Sequence, residues 1–160
     1  MQEGDAARTV PRARPIAWVA AILLAGVIVA ATAVSGYRTR ARHRQVAEAV
    51  AGLAAIRRTE RVQFAENNAY LPVAPGAIQH DPADARPGLG LDFKDNSYFD
   101  GNCFSVAADK AFGFIATCDG AAPGNAAPEA AAAAGIRAEM RSSGEARFSH
   151  DGGSSWTEWK

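Results

Sequence analysis

The chain has 160 residues, with 17 Lys and Arg set against 17 Asp and Glu, a content that suits one small domain plus an anchor. The neutral total hides an asymmetry: residues 1–68 carry 10 basic and 5 acidic side chains, whereas residues 69–160 carry 7 and 12. A cationic stretch beside an apolar run is a membrane-surface feature, and the acidic second half would repel phosphates, so no nucleic acid is expected as a partner.

Residues 1–14 are polar and charged and contain Pro11, which reads as a disordered cytoplasmic tail. Residues 15–37, PIAWVAAILLAGVIVAATAVSGY, contain no charge. About 20 apolar residues in a helix cross the hydrocarbon core, so this stretch predicts a transmembrane helix. Trp18 and Tyr37 stand near its ends, where amphipathic rings favour the interface. Ala20, Ala21, Ala25, Gly26, Ala30 and Ala31 make it dense in small residues, through which helices in lipid approach closely. A cleavable signal peptide is the alternative, because Ala31-Thr32-Ala33 has the small-x-small form that signal peptidase accepts. The apolar core is longer than a usual signal core and the helical pattern continues beyond it, which favours the anchor. Arg8, Arg12 and Arg14 precede the span while Arg38, Arg40, Arg42 and Arg44 follow it, so the positive-inside rule does not set its orientation.

Residues 38–68 are rich in helix formers and free of proline. Val46, Val50, Leu53, Ile56 and Phe64 recur near one stripe, with Glu48, Arg57, Arg58, Glu60 and Arg61 mostly elsewhere. This predicts an amphipathic extension of the same helix, running Ile16 to Asn67 and stopped by Asn67-Asn68. The stripe is expected to pack against a sheet.

Residues 69–160 read as a β-rich, non-cytoplasmic domain. A loop with Pro72, Pro75, Pro82 and Pro87 leads into strand-like runs at 98–99, 103–106 and 112–118, with 108–111 as a turn. If Ser105 faces Ala116, Cys103 faces Cys118 across this hairpin, so the two are expected to form a disulfide in an oxidising compartment. Residues 119–135 are Ala-, Pro- and Gly-rich and fit either a short helix or a loop. The terminal ARFSHDGGSSWTEWK reads as a second hairpin weighted by Phe148, Trp156 and Trp159.

Motifs for chemistry are sparse. His43, His80 and His150 have no cysteine or second histidine at ligand spacing, and no catalytic signature or phosphate loop occurs, so no cofactor, no metal and no catalytic residue is predicted. Asp92, Asp95 and Asp100 are oxygen ligands of the kind calcium takes, but without the alternation of a calcium loop they read as solvated turn carboxylates. One local motif is specific: Ser149, Asp151, Gly153 and Trp156 fit S-x-D-x-G-x-S/T-W and resemble the Asp box of sialidase-type propellers. There the Asp and Ser tie down a turn above a packed Trp. A propeller needs several copies on a much longer chain, so the single copy reads as a well-made turn.

The order of parts, and most specifically AEAVAGLAAIRRTERVQFAENNAYLP at 47–72, resembles the type IV pilin and type II secretion pseudopilin family. The resemblance continues through GLGLDFKDNSYFDGNCFSVAA and AFGFIATCDG. It implies an α+β fold in which a long N-terminal helix packs on a small antiparallel sheet. It also implies a non-enzymatic subunit, single-pass in the bacterial inner membrane with its C-terminal domain periplasmic or extracellular, whose partners are the membrane and other pilin-like subunits or secretion and pilus assembly proteins. The family's cleavage motif, a glycine, then a phenylalanine, then a glutamate at the fifth mature position, has no counterpart: only Gly4, Gly26 and Gly36 lie near the span, and no acidic residue falls between Asp5 and Glu48. Two other readings stay open: a secreted or anchored periplasmic binding domain, and a membrane-anchored enzyme with a site near His80, Asp81 and Asp92 in the 72–100 loop.

Overall fold

The computed structural model describes residues 14–85, 87–109 and 113–160, and within the first helix it describes side chains from Ile22 onward. The expectations for the 1–13 tail and for the side chains of Trp18, Ala20 and Ala21 concern positions outside the described residues. The chain divides into two units, Met1–Ala41 and Arg42–Lys160. Helix α1 spans Arg14–Asn67. It stops where expected: Asn68 takes a left-handed φ of 53° and its amide donates to the Phe64 carbonyl at 2.8 Å, which closes the last turn.

From residue 22 to 40, α1 is exposed on every side. Ile22, Leu23, Leu24, Val27, Ile28, Val29 and Val34 are each at least half exposed. Thr32 and Thr39 donate their hydroxyls back to the carbonyls of Val29 and Ser35, at 2.9 and 3.0 Å, so α1 satisfies its own polar groups here. α1 is long and apolar enough to cross a membrane.

The second unit is a five-stranded antiparallel meander over the remainder of α1. Its strands are β1 (Phe104–Asp109), β2 (Gly113–Asp119), β3 (Arg137–Arg141), β4 (Ala146–Ser149) and β5 (Thr157–Glu158), hydrogen-bonded in chain order. A four-residue helix, α2 (Ala130–Ala133), precedes β3. Burial alternates strictly along β2 and β3, as one covered face requires. Val46, Ala49, Leu53 and Ile56 of α1 share one core with Phe104, Val106, Phe114, Ala116, Cys118, Ala138 and Met140.

The structure departs from the expectations at several positions. Tyr98-Phe99 is not a strand but part of a loop that bends at 97–98, with Phe99 fully buried. β3 went unread, because RAEMR alternates charge with small or flexible residues and lacks the β-branched signal. Phe64 is 40% exposed and reaches the core only through a ring stack, lying 4.6 Å from Tyr70, which meets Phe114 edge-on at 4.9 Å. Val50 is only partly buried. Glu60, grouped with the charged residues that fall mostly off the stripe, is fully buried.

The β1–β2 register also differs by one residue. Ser105 pairs with Thr117, Val106 with Ala116 and Phe104 with Cys118. Ser105 opposite Ala116 would have turned a hydroxyl into the core, since a one-residue slip reverses a strand's faces. The observed register keeps Phe104, Val106, Phe114, Ala116 and Cys118 on the buried side.

Candidate interaction surfaces

The helix half of the domain is fastened to the rest by polar side chains that flank its apolar stripe. Glu48 accepts three backbone amides, from Ser97 at 3.0 Å, Tyr98 at 2.7 Å and Phe99 at 3.1 Å, and so holds the 97–99 loop down while Phe99 fills the core. Arg57 donates to the carbonyls of Ser142 and Ser143, at 2.8 and 3.0 Å, clamping the turn between β3 and β4. Gln45 donates to the Ala132 carbonyl at 3.2 Å. Glu60 accepts the Leu71 amide at 2.9 Å through Oε2 and leaves Oε1 without a partner. Burial raises the pKa of Glu60 above the usual carboxylate value, and this one amide bond opposes it only in part. Sequence reasoning missed these four as fasteners. The available signal for Gln45, Glu48 and Arg57 was a position directly beside a stripe residue, whereas Glu60, one turn after Ile56, lies on the buried stripe itself.

The two cysteines do not sit as expected. Cys103 ends a 3-10 turn, Gly101–Cys103, capped by Asp100, and therefore lies outside the ladder; Cys118 pairs with Phe104. Both are free thiols and both are buried, which corrects the disulfide drawn from hairpin symmetry. Burial pushes the Cys103 thiol up to about 12 and Cys118 well above the usual range, which disfavours the thiolate of each.

The Asp-box residues do come together. Ser149 is 2% exposed; its Oγ donates to Asp151 Oδ1 and receives the Gly153 amide at 2.9 Å. Asp151 in turn accepts the Ser155 amide at 2.9 Å and the Ser155 hydroxyl at 2.6 Å. These bonds hold the Asp151 carboxyl well below the usual carboxylate range. Gly152 and Gly153 take φ values of 69° and 102°, which the turn needs and other residues resist. Trp156 lies beside the turn with the Arg147 guanidinium 4.5 Å above its ring, and Arg147 is itself held by Glu139. A groove of about 440 Å³ on the outer sheet face runs past Ile115, Glu139, Arg141, Arg147, Trp156 and Glu158. Its charges are largely paired, Arg147 with Glu139 and Arg141 with Glu145, so it offers surface rather than a reactive group.

The loop acids have structural partners. Asp92 pairs with Lys94 at 2.7 Å, and Asp100 accepts amides from Asn102 and Ala126, each at 2.9 Å. Among the described residues no three His, Cys, Asp or Glu side chains gather as metal ligands would. A second groove of about 460 Å³, near Gln63, Tyr70, Leu71 and Pro82, is not lined by His80, Asp81 or Asp92. Compared with models of protein families, with curated proteins and with solved structures, the chain matches none.

Proposed function

We propose that this chain is a membrane-anchored, pilin-like structural subunit of a type IV pilus or type II secretion pseudopilus, working by assembly and not by catalysis. The apolar stretch of α1 sits in the bacterial inner membrane, and the helix-on-meander domain sits on its periplasmic or extracellular side. The observation that carries this reading is the change of character along α1: uncharged and exposed over 22–37, then buried on one stripe against the sheet from Val46 to Ile56. Large apolar side chains exposed on all sides of a helix are stable only in lipid or against other copies.

Two substitutions separate the parts. Gly26 has nothing within 4 Å, so Gly26→Leu leaves the folded domain intact and interferes with helix approach in the membrane. Leu53, fully buried, loses the domain core as Leu53→Asp, by several kcal/mol. Cross-linking of the full chain in bacterial membranes tests the proposal. It expects ladders of the chain with itself or with pilin-like partners, weakened by Gly26→Leu. Monomer alone, across a range of linkers, contradicts it.

A further inference from the structure

We infer that the arginines following the apolar stretch of α1 are a docking surface for anionic phospholipid headgroups of the bilayer that the stretch enters, an inference that rests on the anchor reading above. Arg38, Arg40, Arg42 and Arg44 alternate over seven residues, and all four are exposed. No carboxylate occurs between Asp5 and Glu48. Two acids of the domain are already engaged: Glu48 holds the amides of residues 97–99, and Asp151 holds the Asp-box turn. Among the described residues none of the four arginines is in an ion pair.

Their spacing decides what they fit. At about 100° per residue, Arg38 and Arg42 lie within roughly 40° of each other, and Arg40 and Arg44 lie on the opposite side. The charges thus stand in two pairs on opposite sides of the helix. A protein groove or a nucleic-acid strand meets a helix from one side, whereas headgroups reach both sides of a helix that has just left lipid. The four positions cover about 9 Å of helix axis, comparable with the roughly 5–8 Å of headgroup layer beyond the hydrocarbon core. An aromatic ring suited to the headgroup layer is present, since Tyr37 is 75% exposed just before the arginines. Each arginine at a charged surface favours an anionic headgroup by about fivefold, and salt screens the effect.

The test places the full chain in nanodiscs of equal phosphatidylglycerol and phosphatidylcholine and measures which lipid stays with the protein on extraction. Phosphatidylglycerol is expected to be enriched at least about fivefold at low salt. The enrichment is expected to fall to parity in the variant carrying Arg38→Gln, Arg40→Gln, Arg42→Gln and Arg44→Gln, and to fall for the unaltered chain at about 0.5 M salt, which needs no variant. Equal retention of both lipids by a chain that remains in pure phosphatidylcholine discs overturns the inference and leaves the anchor reading standing. Failure to remain in discs of either lipid overturns both. Duplex DNA bound by the detergent-solubilised chain, with the lipids evenly distributed, would assign the arginines to nucleic acid and overturn it as well.

Discussion

Gly52 of α1 lies directly against the ring of Phe104: a Cβ at residue 52 would stand 2.5 Å from Cζ and 2.7 Å from Cε1. The ring has nowhere to retreat, because Phe104 is fully buried and stacked on Phe93 at 4.4 Å. Glycine in a helix interior ordinarily costs about 1 kcal/mol relative to alanine, and here it lets the helix close on the sheet.

Gly52→Ala is therefore expected to lower stability, against its gain in helix propensity. Overpacking of about 1–3 kcal/mol outweighs the propensity gain, for a net loss of about 1 kcal/mol. The double variant with Phe104→Leu is expected to lose less than the sum of the two single changes, because the smaller side chain frees the space. Urea unfolding of the four proteins checks this; additive losses would mean that the contact is not what constrains residue 52.

Glu60 gives the domain a pH dependence of unusual sign. Its folded pKa is raised by burial, so its contribution is fully present below the unfolded value near 4.5 and is lost as pH rises through the folded one. Stability is expected to decline over that interval. Glu60→Gln keeps an oxygen for the Leu71 amide and cannot ionise, so it should be more stable than the parent at neutral pH and should lack that decline. Denaturant midpoints from pH 4 to 8 decide it; parallel curves for the two proteins would refute the assignment.

The Asp-box turn has the opposite sign. Asp151 titrates below its unfolded value, so its contribution is present above that value and is lost as pH falls toward the folded one. Ser149→Ala removes a buried oxygen that accepts the Gly153 amide, with an expected loss of about 1–3 kcal/mol. Hydrogen exchange at Gly153 and Ser155 should quicken first, and unchanged exchange there would show that the turn is held by its glycines alone.

The sequence announced α1, its stop at Asn67, the β1–β2 and β4–β5 hairpins and the Asp-box turn, because each rests on local signals: periodicity, a left-handed Asn, alternation, and a glycine pair. It did not announce what depends on partners distant in the chain. Glu48 lies about fifty residues from the amides it holds, and Arg57 about eighty-five from the Ser142 carbonyl. The Cys103–Cys118 pairing failed for a local reason, since the Asp100-capped turn removed Cys103 from the strand. The four arginines after the apolar stretch were legible as charge, and their placement on two opposite sides of α1 follows from helical spacing alone.

Protease accessibility of the full chain in bacterial cells tests the central claim most directly. After the outer membrane is permeabilised, added protease should digest residues 69–160 while the α1 fragment remains in the membrane through alkaline carbonate washing. Protection of the domain until the inner membrane is broken, or recovery of the intact chain in the soluble fraction, would contradict a membrane-anchored subunit with its domain outside the cytoplasm.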